Sequence, residues 1–76
     1  MLDRKDVVVG HRYLFNGEVV AVLSIHKPGS GESVSLVKVN ELPKGISPWS
    51  PAGGKHWVKG PVQMRKFQKA AKTLEG

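Results

Sequence analysis

Three histidines, six carboxylates and the serines of "ESVS" are the side chains of this 76-residue chain that could carry catalysis or hold a metal. A metal site needs several ligands converging on one point. His11, His26 and His56 fall on different predicted elements, and in the hairpin register derived below His11 faces Val22 while His26 lies four positions farther along. No cysteine adds a second ligand type, so each histidine reads as a strand-edge or loop residue. Asp3, Asp6, Glu18, Glu32, Glu41 and Glu75 are scattered, with no pair spaced for acid–base work. Ser33 and Ser35 have no ordered base partner in the sequence, and "GSGES" lacks the Gly-Lys-Ser/Thr ending of a phosphate loop. The expectation is a non-enzymatic protein with no metal and no cofactor.

Binding chemistry is better represented. The formal net charge is +6, and it is unevenly placed. Residues 1 to 41 hold five bases (Arg4, Lys5, Arg12, Lys27, Lys38) against five acids, whereas from residue 42 onward Lys44, Lys55, Lys59, Arg65, Lys66, Lys69 and Lys72 face Glu75 alone. A field of one sign attracts polyanions and offers phosphate contacts. Trp49 and Trp57 stand inside the same acid-free stretch, and flat aromatic rings are what unpaired bases stack on. Trp57 precedes Val58 in a strand-like run and is assigned to packing; Trp49, between Pro48 and Pro51, is left for ligand contact.

The candidate nucleic-acid-binding set is therefore Lys44, Trp49, Lys55, Lys59, Arg65, Lys66, Lys69 and Lys72, for DNA or RNA, with weak sequence preference and strong salt sensitivity. A second reading is a small regulatory or inhibitory module, of the kind phages and plasmids encode, that docks on an acidic protein surface through Trp49, Tyr13, Phe15 and Arg65. A homodimer through an apolar sheet face or a strand edge is the third. The blandest is a basic surface that only confers solubility.

These residues have to be positioned by one small domain, since 76 residues support a single modest core. Asn16-Gly17 in "RYLFNGEVVAV" predicts a two-residue hairpin, with Phe15 opposite Glu18 and Tyr13 opposite Val20. Alternation then puts Leu14, Val19, Ala21, Leu23 and Ile25 on one face, read as the core, and Tyr13, Phe15, Val20 and Val22 on the other, read as partly covered by the C-terminal segment. "HKPGSGES" ends that strand, and "SVSLVKVNEL" resumes with a change of phase that calls for a bulge or for a strand between two packed layers. "PKGISPWSPAGG" belongs to an irregular loop over 41–55, and "KHWVKG" reads as a short further strand.

After Gly60, Pro61 opens a predicted helix over about 61–74. Met64, Phe67, Ala71 and Leu74, with Ala70 beside them, form its apolar stripe, and Arg65, Lys66, Lys69 and Lys72 its opposite arc. The chain is thus expected to be mainly β, a small curved antiparallel sheet or SH3-like barrel of three to five strands followed by a C-terminal amphipathic helix. Over residues 7 to 60, the strand order and the glycine ahead of the hairpin in "VVVGHRYLFNGEVVAVLSI" resemble an SH3-like small barrel, the architecture of Tudor-type and KOW-type modules. That resemblance implies a fold and transfers no functional residue. No run of about 18 apolar residues occurs, and the N-terminus mixes acids with bases, so no membrane segment and a cytoplasmic location are expected.

Overall fold

Asn16 and Gly17 both adopt positive φ, 51° and 80°, as a two-residue type I′ turn requires. The turn joins β1 (Arg12–Phe15) to β2 (Glu18–His26) in the register read from the sequence, Phe15 against Glu18 and Tyr13 against Val20. This computed structural model describes residues 2–27, 31–58 and 60–74. The predicted turn residues Pro28 and Gly29, the candidate contact Lys59 and the acid Glu75 lie outside the described residues.

β2 pairs antiparallel with β3 (Ser33–Lys38), β3 with β4 (Val62–Gln63) and β1 with β5 (Ala71–Thr73). The result is a mainly β protein with a five-stranded antiparallel sheet in the order β4-β3-β2-β1-β5. A single helical turn, α1 (Pro51–Gly54), lies in the loop predicted as irregular, and the one longer helix, α2 (Met64–Ala70), runs from β4 to β5. Gln63 pairs with Ser33 near the His26 end of β2, and Ala71 pairs with Phe15 near the Glu18 end. In a flat sheet those diagonal corners would stand roughly 30 Å apart, whereas the seven-residue α2 is only about 10 Å long. The sheet therefore curls its edges toward each other, without closing into a barrel, and α2 straps across the concave side.

The core lies under that strap. Tyr13, Val20, Val22, Val34 and Leu36 from the sheet meet Met64 and Phe67 of α2, Ala71 of β5, and Leu2 and Val7 from the N-terminal segment. Phe67 packs edge-on to Tyr13, with ring centroids 5.4 Å apart, and stacks on Phe15 at 5.3 Å. The core face is thus the set of Tyr13, Phe15, Val20 and Val22, reversing the sequence assignment. The reason is physical: the two aromatic residues of β1 supply more burial than the aliphatic set once Phe67 arrives to cover them.

The aliphatic set is divided. Ala21 is buried, Val19 and Leu23 are half-buried, Leu14 is exposed, and Ile25 packs against the main core. Ile25 changes side because the register of β2 against β3 shifts between Val22 and Ser24, leaving Leu23 as the extra residue of a bulge. The bulge lies in β2. The mixed phase of β3 has the other anticipated cause: Val34, Ser35, Leu36 and Val37 are all buried, because both faces of this strand are covered. The second cover is the segment 42–58, in which Pro48 is fully buried and the Trp49 indole donates to the Val22 carbonyl at 2.9 Å.

Two further boundaries differ from the sequence reading. The helix occupies Met64–Ala70, not 61–74, because Ala71 turns extended (φ −95°, ψ 151°) to pair with Phe15. Sheet pairing here overrides a helical pattern, and it places Lys72 on a strand and leaves Ala70 and Leu74 exposed. "KHWVKG" contributes a single bridge, Trp57 to Val37, with the Val58 amide donating to Leu36 O at 2.7 Å.

Candidate nucleic-acid interface

Three of the predicted contacts sit together on α2. Met64 and Phe67 face the core, the half-buried Gln68 donates from Nε2 to the Leu2 carbonyl at 3.2 Å, and Arg65, Lys66 and Lys69 are left on the exposed side. Periodicity forces this arrangement, since in a helix pinned at i and i+3 the residues between point away.

Three acids are engaged in ion pairs, and one of them, Glu32, borders a groove together with Arg65. Glu32 receives Arg4 through Nε at 3.1 and 3.0 Å and through Nη2 at 2.6 Å, while Lys38 reaches Glu18 at 3.3 Å and Glu41 at 3.8 Å. The hydrogen bonds from Arg4, with its charge, hold the Glu32 carboxyl below the ordinary carboxylate range and raise the Arg4 guanidinium. Among the described residues, Lys44, Lys55, Arg65, Lys66, Lys69 and Lys72 enter no ion pair. All six are exposed.

The sequence treated these bases as one surface, but the fold distributes them over two. Arg65, Lys66 and Lys69 lie on the strap over the concave face. Lys72 pairs with Leu14, so its side chain shares the opposite face with Leu14 and Arg12. Lys44 and Lys55 stand on the segment that covers that same face. The turn from α2 into β5 joins the two groups, with Lys69 on one side of it and Lys72 on the other.

Trp57 is not the packed residue expected, and Trp49 is both anchored and exposed. Trp57 is 43% exposed. Its neighbour Val58 packs against the core, and in an extended segment adjacent side chains take opposite sides. Trp49 ties the loop to β2, yet the residue remains 38% exposed. Val22 O accepts both the Trp49 Nε1–H at 2.9 Å and the Gly10 amide at 3.1 Å, so the indole is pinned by its polar edge. The Arg12 guanidinium lies over the ring at 5.7 Å from its centre. Trp49 lines a groove with Lys5, Val8, His11, Arg12 and Leu74. Arg12, His11 and Lys5 were overlooked because they come from the half of the sequence whose charge sums to zero; their value arises from where the hairpin places them.

A second unanticipated contact involves Ser35, which does have a base beside it. His26 Nε2 lies 2.9 Å from both Ser35 Oγ and Ser24 Oγ, because the shifted pairing sets Ser24 opposite Ser35. Among the described residues no carboxylate hydrogen-bonds this ring to orient it, and no three potential metal ligands cluster. Nor, among them, is any helix long and apolar enough to cross a membrane. Compared with protein-family models, with curated proteins and with solved structures, the chain matches none.

Proposed function

We propose that this small β protein is a non-enzymatic nucleic-acid-binding module, acting without a cofactor in the cytoplasm and contacting phosphates through the exposed face of α2, with weak sequence preference. The observation that carries this reading is the strap itself: Arg65, Lys66 and Lys69 exposed together, with none of them in an ion pair among the described residues, on an element whose other side is fixed in the core. Cations held on a rigid element release counterions from a polyanion without much further ordering. Lys72, one turn of chain beyond, extends the basic surface around the sheet edge. Titrating single- and double-stranded DNA and RNA at two salt concentrations tests the reading, which requires binding at low salt that weakens steeply as salt rises.

A second reading, docking on an acidic protein surface, is favoured by the exposed Val8, Val9 and Leu74. Of its anticipated hot spots Tyr13 is buried, whereas Phe15 is half-buried and lines a groove with Val20, Leu36 and Val58. Capture of an acidic protein by a chain that binds no nucleic acid would favour this reading instead.

A further inference from the structure

Resting on the nucleic-acid reading, we infer that the Trp49–Arg12 groove is a second contact on the opposite face of the sheet, a stacking platform that accepts one unpaired base and so selects single-stranded nucleic acid. An exposed tryptophan normally keeps its N–H toward water. Here the N–H is directed inward to Val22 O at 2.9 Å, which leaves the apolar part of the ring exposed. The Arg12 guanidinium lies over that ring at 5.7 Å from its centre and is itself exposed, so an aromatic surface and a cationic group open into the same groove. Both surfaces stack on nucleobases, and a base inside a duplex cannot reach them.

The surroundings fit a nucleotide. The groove is open to solvent and has a volume of about 670 Å³, within the ~300–1,000 Å³ range of small-molecule sites. Lys5 and His11 line it, and Lys72 shares the face occupied by Arg12. Among the described residues its one acid is Asp6, which accepts from the Asp3 amide at 3.3 Å within the N-terminal turn. Val8 and Leu74 supply apolar walls. A base with flanking phosphates matches this mixture of flat, apolar and cationic groups more closely than an acidic peptide does, because a carboxylate chain leaves the indole surface unused.

The test uses a chain carrying Trp57→Phe, which leaves Trp49 as the sole indole. Two strands of about a dozen nucleotides are compared at equal phosphate number, one of thymidylate and one abasic. The inference requires thymidylate to change Trp49 fluorescence and to bind roughly fivefold to a hundredfold more tightly than the abasic strand. Arg12→Lys, which keeps the charge and removes the planar guanidinium, should lower that ratio by about twofold or more. Trp49→Ala should do the same, but it also removes the bond to Val22 O, so the exposed Arg12 variant decides if that protein unfolds. Lys66→Glu with Lys69→Glu should weaken both strands and preserve their ratio. Equal affinity for the two strands would overturn the platform and leave the phosphate reading standing, whereas failure of both to bind at the lowest salt would overturn both. A polyglutamate peptide that changes Trp49 fluorescence as strongly as thymidylate would assign the groove to a protein partner instead.

Discussion

Gly53 shows how tightly the covering loop is built. A Cβ at this position would lie 1.9 Å from the Ser47 carbonyl oxygen, inside the turn where Ser50 Oγ donates to that same oxygen at 2.7 Å and accepts from the Gly53 amide at 3.1 Å. Gly53→Ala should therefore destabilise by about 1–3 kcal/mol. Gly54→Ala, where a Cβ meets nothing within 4 Å, should stay within about 0.5 kcal/mol of the parent. Denaturant melts of the two variants provide the comparison, and equal midpoints would mean that the loop does not hold its shape. Tyr13 is a second such point: its hydroxyl donates to the Asp6 carbonyl and accepts from the Val8 amide at 2.9 Å, binding the N-terminal segment to β1. Tyr13→Phe should cost about 1–2 kcal/mol by the same assay, because two backbone groups lose their partner.

Among the elements, α2 decides most of the fold. The hairpin was legible in the sequence because its instruction is local, two residues of positive φ between two strands. The core face was not, because Phe67, some fifty positions along the chain, selects the Tyr13–Phe15 side. The end of the helix was hidden for the same reason, since edge pairing with β1 claims Ala71 and Lys72. Phe67→Ala removes the ring shared by both aromatic contacts and should cost about 3–5 kcal/mol, enough to unfold a domain of this size under most conditions. The N-terminal segment docks through Leu2, Val7 and the Arg4–Glu32 pair. Because the folded Glu32 carboxyl sits below its ordinary range, its contribution is present above the unfolded value of about 4.3 and is lost as pH falls through the lower folded value. Melting temperatures of the parent and Glu32→Gln should therefore differ at neutral pH and converge in acid, and a gap independent of pH would exclude the ion pair as its source.

At the scale of the molecule, the charge imbalance was legible and its partition was not, because a count along the chain does not reveal that Lys69 and Lys72 fall on opposite sides of a sheet edge. The protein is a plate of 35 × 31 × 17 Å. Its thickness exceeds the Debye length of about 8 Å at physiological salt, so under the proposed function the strap and the Arg12–Lys72 face would be separate contacts on one ligand. Reversals on the two faces should accordingly combine additively in binding free energy. The most direct test of the central claim is the affinity of the parent and of the Lys66→Glu, Lys69→Glu variant for DNA and RNA across a salt series. Parent binding should fall steeply with salt, and the variant should stay folded and bind about tenfold or more weakly. Its duplex-DNA salt slope should be shallower by about 2, since each lost phosphate contact contributes about 0.9. A parent that binds no nucleic acid at the lowest salt, or a folded variant that binds as well as the parent, would contradict that claim.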